Sequence, residues 1–66
     1  MRATVNGEPM ELPEGLTIVA LLERLGLHAA RVAVERNGAV VKKAQHGDEK
    51  LAPDDVLEIV TFVGGG

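Results

Sequence analysis

The stretch Val56-Leu57-Glu58-Ile59-Val60-Thr61-Phe62-Val63 leads directly into Gly64-Gly65-Gly66. β-Branched and aromatic residues dominate the first part, and such residues favour an extended strand. Glycine has no Cβ, so a triglycine segment can enter a channel too narrow for other residues. Extended, it reaches on the order of 10 Å. From these residues alone, the tail is either the working end of the protein or a frayed or artificial terminus.

The alternation of the last strand separates a core face from an open face. Side chains of a strand point alternately to its two sides, so Leu57 and Ile59 share one face. Glu58 lies on the other face with Val60 and Phe62. We therefore expect Leu57 and Ile59 to be buried. An exposed Val60 and Phe62 predict a docking patch immediately before the tail, although Phe62 could instead close a small hydrophobic cluster.

The N-terminal residues predict a β-hairpin. Met1–Val5 alternates with period two and meets Asn6-Gly7, a strong signal for a two-residue hairpin turn. The returning strand spans about Glu8 to Leu12. Because Pro9 cannot donate a backbone hydrogen bond, this second strand is expected either to lie at an edge of the sheet or to begin after Pro9.

A short amphipathic helix follows the hairpin. Thr17 is a good N-cap, and Gly26 suits the left-handed conformation common just after a helix. The spacing i, i+3, i+4, i+7 predicts one apolar stripe, formed by Ile18, Leu21, Leu22 and Leu25. A helix this short depends on packing that stripe against a sheet.

A second hairpin and a final strand complete the chain. Val32–Arg36 predicts a third strand, Asn37-Gly38 repeats the turn signal, and Val40–Lys43 returns as a fourth strand. The polar segment Ala44–Lys50 is expected to be an exposed loop. A turn at residues 53–55 then leads into the last strand, Val56–Val63.

This order of elements predicts an α+β fold of the ubiquitin-like β-grasp type. We expect a mixed sheet of about five strands, with the first and last strands at its centre and one main helix packed on one face. Residues 1–66 should form one domain, with a flexible tail at 64–66. Phe62 is the only aromatic residue, so the core must be aliphatic.

Composition excludes several functional classes. The chain has no cysteine, which rules out disulfides and thiolate metal sites. A formal net charge of −3 with scattered basic residues argues against a nucleic-acid partner. No apolar run approaches the roughly 20 residues of a membrane span, and no signal peptide is recognisable at the start. We therefore expect no membrane association and a cytoplasmic location.

Candidate metal and catalytic groups are sparse. His28 and His46 show no recognised metal-ligand spacing, and both are expected to be solvated loop residues. Asp54 and Asp55 are expected to shape a turn. Because no nucleophile and base can be paired with confidence from the sequence, the chain is predicted not to be an enzyme and to bind no cofactor or metal.

Two segments carry a family resemblance that extends over the whole chain. They are Val32-Ala33-Val34-Glu35-Arg36-Asn37-Gly38 and Glu58-Ile59-Val60-Thr61-Phe62-Val63-Gly64-Gly65-Gly66. Together with the element order, they resemble the ThiS family, the sulfur carrier proteins of thiamine thiazole biosynthesis. The resemblance implies that Gly66 is the covalent carrier residue, and that Val63, Gly64 and Gly65 belong with the docking patch to the partner-binding tail.

The resemblance also implies a set of partners. A ThiF-type adenylating enzyme would use ATP and Mg²⁺ to adenylate the Gly66 carboxylate. A persulfide sulfur derived from cysteine would then displace AMP to leave a thiocarboxylate, which would donate its sulfur to a ThiG-type thiazole synthase. This agrees with elementary chemistry, since a free carboxylate is ionised at neutral pH and is a poor acyl donor until it is activated.

Three alternatives remain open on the sequence. The chain could be a related sulfur carrier for molybdopterin or another sulfur-transfer route, with the same tail chemistry. It could be a ubiquitin-like modifier that ends in an isopeptide bond to lysine. It could also be a β-grasp binding module whose tail is idle.

Overall fold

The order of strands and helix agrees with the expected β-grasp arrangement. The computed structural model describes residues 1–62. Its elements are β1 (Arg2–Val5), β2 (Glu8–Glu11), α1 (Ile18–Arg24), β3 (Val32–Arg36), β4 (Ala39–Val41) and β5 (Val56–Thr61), with short 3₁₀ turns at Ala29–Arg31 and Lys43–Gln45. The predicted fold class is confirmed.

The described strands form one mixed sheet in the order β2-β1-β5-β3-β4. β1 and β5 run parallel, whereas the three other pairs are antiparallel. The first and last strands are therefore neighbours within the sheet, as expected, and Pro9 lies in an edge strand. α1 packs on one face, where the sheet contributes Ala3, Val5, Val32, Val34, Val41, Leu57 and Ile59 to the core.

Some boundaries differ from the sequence predictions. β4 spans Ala39–Val41 rather than Val40–Lys43, because the tight turn pairs Arg36 directly with Ala39. β2 ends at Glu11, although Leu12 still exchanges two hydrogen bonds with Met1. The described part of β5 ends at Thr61, and Val63 lies outside the described residues.

The helix begins and ends where its flanking residues predict. The N–H of Ala20 donates to the Thr17 hydroxyl oxygen at 3.2 Å. Gly26 has a φ of +73°, a conformation that favours glycine. Ile18, Leu21 and Leu22 are buried and Leu25 is half-buried. Packing against the sheet thus stabilises a helix that would be marginal alone.

The segment after β4 is largely exposed, as its polar composition predicts, but it is not a free loop. It folds over the N-terminus of α1, where the N–H of Ile18 donates to the Glu49 carbonyl at 3.1 Å and that of Val19 donates to the His46 carbonyl at 3.0 Å. These bonds satisfy helix donors that lack an intrahelical partner. The segment is therefore part of the helix cap.

The expectation that His46 is solvated is wrong. Its side chain is buried, with Nε2 at 3.2 Å from the Val41 carbonyl oxygen. Its Nδ1 has no hydrogen-bond partner in residues 1–62. His28 is exposed, as expected. The polar neighbours of His46 in sequence concealed its burial, because only the tertiary fold brings this segment back over the helix.

Both Asn-Gly turns hold β5 as well as closing their hairpins. Asn6 and Asn37 have φ values of +50° and +52°, as type I′ turns require. The Asn6 side chain accepts a hydrogen bond from the Ile59 N–H at 2.7 Å and donates to the Ile59 carbonyl at 3.1 Å. The Asn37 side chain accepts from the Val56 N–H at 2.9 Å. Each asparagine side chain therefore continues the backbone hydrogen bonding along one edge of the central strand, β5.

Asp55 anchors the beginning of β5 through a partly buried polar network. Its carboxylate accepts hydrogen bonds from Arg36 Nε at 2.9 Å, the Ala52 N–H at 2.8 Å and Asn37 Nδ2 at 3.0 Å. Burial by itself raises the pKa of Asp55, but these hydrogen bonds and the Arg36 charge outweigh burial and hold the pKa below its ordinary value of 3.8. Asp55 thus shapes a turn, as expected, and also forms a buried ion pair.

Replacing Asn6 with alanine should destabilise the fold by about 2–4 kcal/mol, because it removes two hydrogen bonds to Ile59 and leaves a residue with a Cβ in the left-handed region. The Asn6→Gly variant should be less destabilised, since glycine adopts a positive φ freely. Urea unfolding at neutral pH measures both. Equal losses in the two variants would show that the backbone conformation of Asn6 contributes nothing.

The Asp55 network predicts a pH dependence of stability. A carboxylate with a lowered folded-state pKa stabilises the fold above its unfolded-state value and loses that contribution as the pH falls through the folded-state value. The free energy of unfolding should therefore decrease as the pH is lowered below about 4. Asp55→Asn should lower stability by about 1–3 kcal/mol at neutral pH and flatten this decline. The exposed Asp54→Asn is the matched control, and an equal effect there would contradict the assignment.

Candidate functional site

β5 presents different residues to its two faces, as its alternation predicts. Leu57 and Ile59 are buried, whereas Val60 and Phe62 remain 59% and 53% exposed. Val56, on the same face as Val60, is 46% exposed. Because α1 covers only the opposite face, this face of β5 has no covering element within residues 1–62. The expectation that Val60 and Phe62 lie on the open face is confirmed.

Neighbouring strands extend this exposed surface sideways. Strand register places Ala33 of β3 beside Val60, and Val40 of β4 beside Glu35. Val40 is 72% exposed, the most exposed large hydrophobic side chain in residues 1–62. The resulting surface, called the open-face patch below, consists of Ala33, Glu35, Val40, Val56, Glu58, Val60 and Phe62.

Phe62 is fixed in position without being buried. Its N–H donates to the Arg31 carbonyl at 2.8 Å, which continues the pairing of β5 beyond Thr61. The Lys43 ammonium lies 5.6 Å from the centre of the Phe62 ring and also donates to the Ala30 carbonyl at 3.3 Å. A cation over an exposed ring stabilises the contact by about 0.5–1 kcal/mol. These two contacts therefore hold Phe62 at the end of β5 although its side chain is exposed.

Sequence reasoning did not identify Lys43 and Val40 as parts of this region. Lys43 lies in a 3₁₀ turn whose path cannot be inferred from periodicity. Val40 belongs to a short strand with two adjacent valines, so its alternation alone does not show which valine is buried. The register of the Asn37-Gly38 hairpin could have placed Val40, since it pairs Val40 with Glu35.

The remaining predicted site residues are Val63, Gly64, Gly65 and Gly66, which lie outside the described residues. The assignment of Gly66 as the carrier residue therefore stays a prediction. Among residues 1–62, no three His, Cys, Asp or Glu side chains come together in a way that could hold a metal ion. In the same residues, no helix is long and apolar enough to cross a bilayer.

Comparisons with known proteins agree on one family. The family model described as "ThiS family" matches residues 3–66. The sulfur carrier protein ThiS of Thermus thermophilus is 37% identical over 62 residues, which cover 94% of this chain and 95% of that protein. The corresponding protein of Bacillus subtilis is 44% identical over 50 residues, 76% of each chain.

A solved structure and a longer relative extend the comparison. The crystal structure of a thiamine biosynthesis protein (ThiS) from Geobacter metallireducens superposes with a TM-score of 0.85 at 35% identity, covering the whole of both chains. A thiazole synthase of Magnetococcus marinus is 46% identical over all 66 residues of this chain. This chain spans only 20% of the length of that synthase.

The exposure of Phe62 predicts that it contributes little to stability. Phe62→Ala should cost about 1 kcal/mol, mainly through the lost contact with Lys43. Leu57→Ala, on the buried face of the same strand, should cost about 2–5 kcal/mol through lost burial and a cavity. Thermal and urea unfolding of the two variants compare these losses. A loss for Phe62→Ala as large as that for Leu57→Ala would assign Phe62 to the core.

Proposed function

Because the chain belongs to the ThiS family, we propose that it is a sulfur carrier protein that serves thiazole formation in thiamine biosynthesis. The observation that carries this proposal is the family match, which extends through residue 66 and so includes the triglycine tail. The exposed open-face patch at the root of that tail adds support. In this role the chain is a substrate of other enzymes and not itself a catalyst.

The proposed chemistry takes place on the terminal carboxylate of Gly66. An oxygen of that carboxylate attacks the α-phosphorus of ATP, and pyrophosphate leaves. Mg²⁺ and cationic groups of a ThiF-type adenylating enzyme stabilise the charge that develops on the phosphates. A persulfide sulfur derived from cysteine then attacks the acyl carbon and AMP leaves. Cleavage of the resulting S–S bond by a thiol leaves the thiocarboxylate.

The proposed acceptor is a ThiG-type thiazole synthase. Support comes from the two thiazole synthases of Magnetococcus marinus and Paramagnetospirillum magneticum, each of which contains a segment similar to this entire chain. Their similarity to this chain favours the thiazole route over the molybdopterin route. A cytoplasmic location, where ATP and these enzymes would be available, stays a prediction.

The open-face patch is proposed to dock the adenylating enzyme so that the tail reaches its active site. Gly66 is four residues after Phe62, the last described residue, and four residues span at most about 14 Å when fully extended. Docking by the patch would therefore place the reacting end at a limited distance from the contact surface. Because glycine has no side chain, the three glycines would permit the tail to enter a narrow channel of the enzyme.

Intact mass spectrometry tests the proposal directly. The protein is incubated with ATP, Mg²⁺, a ThiF-type adenylating enzyme and a persulfide donor. A mass gain equal to one oxygen replaced by sulfur, localised to Gly66, is expected. The same spectra show whether Gly66 is terminal, as the chemistry requires. No gain with enzymes that are active on their own carrier would contradict the proposal, and larger adducts on denaturing gels would favour a ubiquitin-like modifier.

Gly66→Ala and a variant with one residue added after Gly66 should both lose ATP-dependent pyrophosphate release. The reason is that the proposed active-site channel of the adenylating enzyme admits only a chain that ends in the glycine at position 66. Their melting temperatures should equal that of the native protein, since the change is at least five residues after the described end of β5. The Gly38→Ala variant is a contrasting control, because Gly38 has a φ of +86° and its replacement should lower stability without touching the tail. Unchanged pyrophosphate release by the tail variants would contradict the assignment of Gly66.

A further inference from the structure

The centre of the open-face patch holds two carboxylates that face each other. Glu35 of β3 and Glu58 of β5 are direct cross-strand partners, and both are exposed. Directly opposite residues have Cβ atoms about 5 Å apart, and like charges in this arrangement destabilise a sheet. The fold therefore keeps an unfavourable pair at the middle of its exposed face.

No basic group in the described residues forms a close ion pair with either glutamate. Arg36 follows Glu35 in sequence but points to the other side of β3, where it is bound to Glu49 and Asp55 at 2.8 and 2.9 Å. Unlike Glu49 and Asp55, neither Glu35 nor Glu58 has a basic nitrogen of residues 1–62 within 4 Å of its carboxylate. The negative charge at the centre of the patch is left for solvent or a partner.

Apolar side chains flank the two glutamates. Val40 lies beside Glu35 on one side, and Val56 and Val60 lie two residues before and after Glu58 on the same face. All three valines are exposed. A partner that covers these valines must also remove water from the glutamates, which would be costly unless it supplies a positive charge. A partner that binds this patch must therefore combine apolar side chains with a positive charge.

We propose that the open-face patch binds a protein surface that inserts an arginine or lysine side chain between Glu35 and Glu58 while apolar side chains around that cation cover Val40, Val56 and Val60. This inference rests on the proposed function and adds the chemistry of the contact surface of the adenylating enzyme. A guanidinium is especially suited, because its several donors can bond two carboxylates at once. The partner's cation converts a repulsive pair into a bound bridge.

This proposal predicts opposite effects on stability and on binding. In Glu35→Gln, Glu58→Gln and the double variant, loss of the repulsion should raise the melting temperature by roughly 1–5 °C. Affinity for a ThiF-type adenylating enzyme, measured by calorimetry, should fall about tenfold in the double variant. The affinity of the native protein should also decrease with added salt more steeply than that of the double variant. A purely structural role would lower stability and leave affinity unchanged.

Glu23→Gln provides the matched control, because Glu23 is an exposed carboxylate on α1, on the other side of the sheet. It removes one carboxylate charge, as each single variant does, and should leave affinity and its salt dependence unchanged. If the native protein is adenylated but the double variant binds as tightly as Glu23→Gln does, the cation bridge is wrong and the carrier function stands. If the native protein is neither bound nor adenylated, both proposals fail.

Discussion

The position of β5 between β1 and β3 is the constraint on which the described structure depends. A strand in the middle of a small sheet must find hydrogen bonds along both of its edges. Its parallel pairing with β1 is short and consists of two residue pairs, Thr4 with Val56 and Val5 with Leu57. The Asn6 side chain extends that edge to Ile59 with two further hydrogen bonds. At the other edge, every residue of β3 pairs with a residue of β5.

The start of β5 is held by charge as well as by backbone pairing. Asp55 gathers Arg36 from β3, Asn37 from the second hairpin turn and the backbone of Ala52. Arg36 also contacts Glu49 in the segment that caps α1. One partly buried network therefore connects the sheet, the second hairpin and the helix cap. In a chain with a small aliphatic core, such shared polar contacts fix the relative positions of elements that burial alone would leave less defined.

Much of this arrangement could be predicted from sequence because its signals are local. Two Asn-Gly pairs define two hairpins, Pro9 indicates an edge, and the charge of Glu58 shows which face of β5 is buried. The errors share a different cause. His46 and the contact between Lys43 and Phe62 depend on how one polar segment folds back across the molecule, and neither periodicity nor composition reports such a path. The second function of the asparagines was hidden for the same reason, since Ile59 lies 53 residues from Asn6.

The division of β5 into two faces also separates the residues that form the core from those of the proposed docking surface. Leu57 and Ile59 are buried in the core, whereas Val56, Glu58 and Val60 are exposed and lie outside it. Residues on the open face are consequently less constrained by folding, and an unfavourable Glu35–Glu58 pair can persist there at a small cost in free energy. A repulsive pair surrounded by exposed valines is poorly explained by the demands of the fold. In the proposed function, a complementary cation of the adenylating enzyme would complete this surface, and the same partner would receive the tail.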